Sequence, residues 1–338
     1  MRRDRYLAGG LAACAGLMAA TAALANDSTA ELAAGGLVLT RSDGIEMRSE
    51  DLSISREAVK VHYVFRNVTD KDVTALVAFP MPPITGDVDF IEALPTEDPE
   101  NVLGFSTTVD GRMVKARIEQ KTFFKGVERT AMLRGLGVPL APHIEATVAA
   151  LDRLPQADKD RLLKLEMVVP NDYDAGKGWE HHLQPMWTLK TTYYWKQVFP
   201  AGRDLVVDHR YTPSVGQSAG TSVGQSWTTP REMAAMRARY CMDDAFMAAF
   251  RKAQGAAGKQ AIAFTEARID YVLSSGGNWR KPIGDFHLTV DKGRPDSLVS
   301  FCAVGVSKTG PTRFESRRKD FRPARDLSIL ILDPAPRQ

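Results

Sequence analysis

Apolar and polar residues alternate with period two through most of residues 58–212. Val59, Val61, Tyr63 and Phe65 alternate with Lys60, His62 and Arg66, and after a polar stretch, Asn67 to Asp72, the pattern resumes as Val73, Ala75, Val77 and Phe79. Successive side chains of a strand point to opposite faces, so each run predicts a strand with one buried face, and the short spacing predicts a hairpin. Pro80, Pro82 and Pro83 end the second run, because proline cannot donate to a sheet ladder. A second hairpin is predicted where Phe105, Thr107 and Val109 lead into Asp110-Gly111 and Val114, Ala116 and Ile118 lead away. Asp-Gly suits a two-residue turn in which both central residues take positive φ. A third pairs Trp187, Leu189, Thr191, Tyr193 and Trp195 with Leu205, Val207, His209 and Tyr211 around Pro200-Ala201-Gly202.

Helical spacing interrupts the alternation twice. Ile144, Val148 and Leu151, then Leu162-Leu163, predict a helical insertion at about 139–170. Thr229-Pro230-Arg231-Glu232 has the form of a helix start, with Thr as N-cap, Pro in the first turn and Glu three places after Thr. Met233, Met236 and Tyr240 then share a face, and Asp243-Asp244 caps a further helix ending near Gly255. Strand patterns return over 262–334, with Ile269, Tyr271 and Leu273, then Phe286, Leu288 and Val290, then Leu327, Ile329 and Ile331. Residues 213–228, rich in Ser, Gly and Thr, read as a linker.

The predicted fold is therefore mainly β: a β-sandwich-like N-terminal domain over 26–212 with a helical insertion, a linker and helical connector over 213–256, and a C-terminal β domain over 257–338. The pattern leaves open whether the two β regions are separate domains or share one core.

The first 25 residues change the picture. Met1-Arg2-Arg3-Asp4-Arg5 is followed by an uncharged apolar stretch to Ala25, ending Ala23-Leu24-Ala25. That is the layout of a secretory signal cleaved after Ala25, predicting a periplasmic or secreted protein. A membrane span would need roughly 20 strongly apolar residues, and this stretch is mostly Ala and Gly. Leu11-Ala12-Ala13-Cys14 admits a second processing route, a lipoprotein acylated at Cys14, and Arg2-Arg3 a twin-arginine route. No later segment has the length and apolarity of a span. Cleavage would leave 313 residues and lower the formal charge from +3 to +1. A near-neutral chain offers no basic stripe for nucleic acid and no polybasic lipid anchor. Two cysteines would remain, Cys241 and Cys302, an even number that favours one disulfide in an oxidising compartment over two buried thiols. Such a bridge would be worth roughly 4 kcal/mol in the chain-entropy model.

Particular residues also carry a resemblance. Asn26-Asp27-Ser28, Gly35-Gly36-Leu37, Val77-Ala78-Phe79-Pro80-Met81-Pro82, Tyr240-Cys241, Trp279, Pro282-Ile283-Gly284-Asp285-Phe286, Ser300-Phe301-Cys302 and Phe321-Arg322-Pro323 together resemble the bacterial domain-of-unknown-function family 4424. The resemblance spans nearly the whole chain after residue 25. It implies export to a Gram-negative envelope and supplies no catalytic residues. Residues 58–212, with the Phe-Pro-Met-Pro stop, Val109-Asp110-Gly111-Arg112 and Phe199-Pro200-Ala201-Gly202, are also similar to the vault/inter-α-trypsin domain, a β-rich module. The insertion at 139–170 departs from that pattern.

Four motifs bear on chemistry. Gly216-Gln217-Ser218-Ala219-Gly220 matches the nucleophile elbow of serine hydrolases, with Ser218 as nucleophile and His287 a distant possible base. An elbow must lie between a strand and a helix, and Thr221-Ser222-Val223-Gly224 is a poor helix start, so the flexible-loop reading is preferred. Asp51-Leu52-Ser53-Ile54-Ser55 matches a metal-adhesion signature, but Leu52 and Ile54 alternate with the serines as on an ordinary strand. His181-His182, with Glu180 or Asp172 nearby, is the candidate metal pair, although neighbouring residues on a strand face opposite ways. Trp187, Tyr193 and Trp195 fall on one face, which reads as core before it reads as a stacking platform. The sequence carries no cofactor motif. These observations favour a non-catalytic module that binds another envelope protein or polymer, ahead of a hydrolase using Ser218 or a periplasmic small-ligand carrier with a closed apolar cavity.

Overall fold

The computed structural model describes residues 28–334 apart from 34–35, 41, 89–90, 175, 177, 219 and 258–263. The predicted signal, its cleavage point after Ala25, and Cys14 lie outside the described residues. The chain runs through β1 (Ser28–Ala33), β2 (Gly36–Thr40), β3 (Ile45–Ile54), β4 (Val59–Asn67), β5 (Val73–Pro80), β6 (Ile84–Thr85), β7 (Ile91–Ala93), β8 (Ser106–Val109), β9 (Arg112–Val114), β10 (Arg117–Phe124) and β11 (Val127–Glu128). Helices α1 (Thr130–Gly135), α2 (Glu145–Asp152) and α3 (Gln156–Lys164) precede β12 (Val168–Asp174), β13 (Trp179–Pro185), β14 (Thr188–Phe199), β15 (Asp204–Tyr211) and β16 (Val215–Ser218). Helices α4 (Pro230–Tyr240) and α5 (Asp244–Ala257) lead to β17 (Phe264–Tyr271), β18 (Ile283–Asp291), β19 (Leu298–Phe301), β20 (Ser307–Lys308), β21 (Arg313–Phe321) and β22 (Leu327–Pro334). With 47% strand and 18% helix among the described residues, the protein is mainly β, as the alternation predicts.

Two of the three predicted hairpins are not hairpins. β4 lies in an eight-stranded sheet, ordered β20-β21-β18-β3-β4-β15-β8-β9, while β5 lies in a seven-stranded sheet, β11-β10-β14-β5-β1-β2 with β6 beside β14. β14 and β15 divide the same way. The chain therefore arches twice from one sheet to the other, and the two arches stack, because β4 pairs with β15 and β5 with β14. Alternation sets which face of a strand is buried but not which strand it bonds. The inner faces meet across the core, where Phe65 contacts Phe199 and Phe79 contacts His209 at ring separations of 6.0 and 4.7 Å. Trp187, Tyr193 and Trp195 belong to this core.

Asn67 ties the arches together. It is 1% exposed, and its Nδ2 donates to Lys71 O and Phe199 O, both at 2.8 Å. Its Oδ1 accepts from Thr69 N and Thr69 Oγ1. Asp72 Oδ1 accepts from Ala201 N at 2.9 Å, linking one turn to the other.

The Asp110-Gly111 hairpin forms, with φ of 45° and 74° at its two central residues. Its second strand stops at Val114, however, and Arg117 begins β10 in the other sheet. The helical insertion starts earlier than the spacing predicts, at α1, and extends through the separate β12–β13 hairpin. It is anchored by Leu133, Leu151 and Leu162, all fully buried, and by Trp187 Nε1 donating to Leu140 O at 2.8 Å.

Residues 213–228 do more than link. They supply β16, which sits between β7 and β17 in a five-stranded sheet, β19-β22-β17-β16-β7. α4 and α5 cover part of that sheet through Tyr240, Met247 and Phe250 against Phe264, Leu330 and Leu332. The predicted helix start is a complete capping box: Thr229 Oγ1 accepts from Glu232 N while the Glu232 carboxylate accepts from Thr229 N. Gly224 has φ of +66°, and a Cβ there would meet Phe250 at 3.0 Å. The two β regions share a sheet and a core: β18 runs parallel to β3, and Trp279 packs 4.7 Å from Phe65.

Candidate functional site

β16 and β17 form one wall of an open cleft of about 590 Å³. Along β17, Ala267, Ile269 and Tyr271 form the buried face, while Glu266, Arg268 and Asp270 share the other, Glu266 buried and the next two half-exposed. Gly216 lies directly across from Arg268, and lacking a side chain it leaves room above the strand pair. Ser214, Ser218 and Ser222 contribute hydroxyls, Arg239 enters from α4, and Pro82, Pro83, Thr85 and Asp87 close the far side. Each arginine is held by a carboxylate. Arg239 Nη2 donates to Asp270 Oδ2 at 2.8 Å and its Nε donates to Ser328 Oγ. Arg268 pairs with Glu266, which is buried and also accepts from Thr221 Oγ1 at 2.7 Å and Ser222 N at 3.1 Å. That anchoring fixes the guanidinium at the cleft wall and satisfies the buried carboxylate. Behind Thr85, His143 Nε2 donates to Thr85 O at 2.7 Å, and burial lowers the imidazole pKa against the opposing effect of that bond.

Ser218 is the predicted residue that reaches this cleft. Its Oγ donates to Gly220 O at 2.7 Å, closing a local turn. No helix follows until α4 at Pro230, so the strand–turn–helix of a nucleophile elbow is missing among the described residues. Among the described residues no histidine lines the cleft. His287 is on β18 in the eight-stranded sheet, where its Nδ1 lies 3.1 Å from Asp51 Oδ2 and its Nε2 3.5 Å from Glu315. The structure therefore does not bring His287 to Ser218. It also places Asp51 and Ser53 on β3, a half-exposed strand.

His181 and His182 are on β13 and point to opposite faces. His181 bonds Asp172 across the hairpin at 3.0 Å. His182 Nδ1 is 2.7 Å from Asp152 Oδ2 of α2 and its Nε2 3.2 Å from Glu180 Oε2, and these two hydrogen bonds raise its pKa. Among the described residues no group of three or more His, Cys, Asp or Glu side chains is arranged to hold a metal ion. Cys241 and Cys302 lie at disulfide-bonding distance with Cα atoms 5.1 Å apart. They join the left-handed C-cap of α4 to the residue after β19. No local pattern in the sequence singles out the cleft's arginines. Alternation marks Arg268 and Asp270 as outward, but their meeting with Arg239 depends on how α4 packs.

Fold and cleft together define a mainly β protein with several sheets and an open polar groove. The chain belongs to the family of the domain of unknown function DUF4424, whose family model matches residues 25–330. No curated protein matches the sequence. Among solved structures it is similar to a Legionella pneumophila protein described as a candidate nutrient binding protein, at 15% identity and a TM-score of 0.45, covering 91% of this chain and 70% of that one. It is also similar to an M1 zinc metallopeptidase of Deinococcus radiodurans, at 8% identity and a TM-score of 0.21, covering 87% of this chain and 43% of that one. Neither likeness bears on what this chain does. No helix among the described residues is long and apolar enough to cross a membrane.

Proposed function

We propose that this chain is an exported, non-catalytic binding module of the cell envelope. On a β-sandwich-like scaffold, of the kind the similarity to the vault/inter-α-trypsin domain implies, it would hold a polar segment of another envelope protein or polymer in the β16 cleft. One observation carries the reading. The cleft is open and lined by serine hydroxyls and carboxylate-anchored arginines, while Ser218 spends its hydroxyl on its own turn. Such a surface offers fixed donors to a chain lying across it and lacks the base a serine nucleophile needs. A carrier of apolar ligands would instead need an enclosed apolar cavity. Export is supported by the charged, apolar, small-residue layout of residues 1–25, and an oxidising compartment by the Cys241–Cys302 pair.

The test is mass spectrometry of the chain recovered from its own envelope, joined to photo-cross-linking from position 222. The expected chain begins at Asn26 and is two hydrogens lighter than its reduced form. The expected cross-link to an envelope component is lost in Arg239→Ala. A cytosolic chain that keeps residues 1–25 and free thiols would sink the export reading. Turnover of ester, peptide or glycan probes that disappears in Ser218→Ala would replace the binding reading with the hydrolase.

A further inference from the structure

A different surface, the outer face of the eight-stranded sheet, carries a second site. On this face most charges are neutralised across strands. Arg66 pairs with Asp204, His62 with Asp208, His287 with Asp51, and Arg317 and Lys319 both with Asp285. Among the described residues an opposed pair of cations breaks the pattern. Lys60 on β4 and Arg210 on β15 are directly opposite each other in the ladder, both exposed. Among the described residues neither side chain has an ion-pair or hydrogen-bond partner.

Directly opposed residues share a face with Cβ atoms about 5 Å apart, and like charges there are unfavourable. The same register places Ser53 across from Lys60 and Ser106 across from Arg210. Four neighbouring strands thus present hydroxyl, ammonium, guanidinium and hydroxyl in one transverse row. The row opens into a groove of about 520 Å³, with Thr108 and His62 along its rim.

We infer that this groove binds a phosphoryl group between Lys60 and Arg210. A phosphate carries the opposite charge and enough acceptor oxygens to engage both cations and the Ser53 hydroxyl at once, while Ser106 Oγ donates to Arg210 O and braces that strand. The guanidinium fork matches two of its oxygens, and the ammonium supplies a point charge from the next strand. Binding converts an unfavourable cation pair into two charge-assisted contacts. The chemistry is common to a soluble phosphate ester and a lipid headgroup.

Thermal unfolding with inorganic phosphate against chloride, at matched ionic strength and pH, reads the site directly. Phosphate is expected to raise Tm in the wild type, with affinity falling about tenfold in Lys60→Gln and in Arg210→Gln, since a charged hydrogen bond is worth that much. The double variant should show no phosphate-specific rise. In chloride, Lys60→Gln should unfold no earlier than wild type, because the substitution removes a repulsion, so lost response is not lost folding. Co-sedimentation with phosphatidylglycerol and phosphatidylcholine vesicles separates the sources. Recruitment to phosphatidylglycerol alone, lost in the double variant, assigns a headgroup. A response to free phosphate without recruitment assigns a soluble ester. Equal responses in wild type and double variant, or no response to either probe, would overturn the assignment.

Discussion

The paired arches and the β12–β13 hairpin start from the same kind of sequence, two short strands joined by a polar turn, and end in opposite structures. In the arches every second residue is a large, buried side chain, as in β4 and β15. The face that β4 and β15 share finds enough apolar surface only by meeting β5 and β14 across a core. Chain neighbours are therefore separated into different sheets. In β12 and β13 burial is confined to the base, at Val168 and Pro185, and the outer residues face water. With nothing to bury, local backbone pairing decides, and cross-strand polar pairs such as His181 with Asp172 finish the job. Burial, more than turn chemistry, selects between an arch and a hairpin here.

Substitutions can break or sharpen that contrast. The largest effect should come from Phe79→Ala, which empties a fully buried position ringed by Phe105, His209 and Tyr211. A loss of about 3–5 kcal/mol in urea unfolding is expected. A loss below about 1 kcal/mol would mean that the arches are not held by their core. Asn67→Ala comes next, at about 2 kcal/mol, because the buried Phe199 O and the part-buried Lys71 O lose their donor. If Asn67→Ala matches a neutral substitution at exposed Val68, the turns are passive. The smallest effect is at His182, which joins the hairpin to α2. Its folded pKa is raised above the ordinary 6.5 by Asp152 and then Glu180. Its contribution is therefore fully present below pH 6.5 and disappears as pH rises through the raised folded value. The Tm difference between wild type and His182→Gln should be widest in mildly acidic buffer and close toward alkaline pH. A difference independent of pH would assign His182 a packing role instead.

What the sequence reveals and what it hides follow the range of each interaction. The capping box at Thr229, the Asp110-Gly111 turn and the buried faces of β4, β14 and β15 are written within a few residues, and all are legible. Strand partners are not: β4 meets β15 across more than a hundred residues, and no local signal states that register. The same blindness covers the cleft and the cation pair. Lys60 and Arg210 are each readable as outward-facing, but their opposition exists only once the ladder is set. The linker reading of 213–228 fails for a related reason. Its Ser and Gly content is that of a loop, yet Val215 and Gly216 are buried because β7 and β17 close over them. Ser218 shows the converse: a local pattern is present, and the surroundings that would give it meaning are absent.

The parallel contact between β3 and β18 sets an order of events. Asp51 and His287, bonded across it, are 236 residues apart in the chain. As the chain emerges from a ribosome, β3 pairs early with β4 on one side, and its other edge waits for β18 to appear. Such non-local closure is slow and leaves an open strand edge exposed meanwhile. A sheet that cannot be completed until the last quarter of the chain arrives leaves one of its inner strands with an unpaired, association-prone edge for that interval.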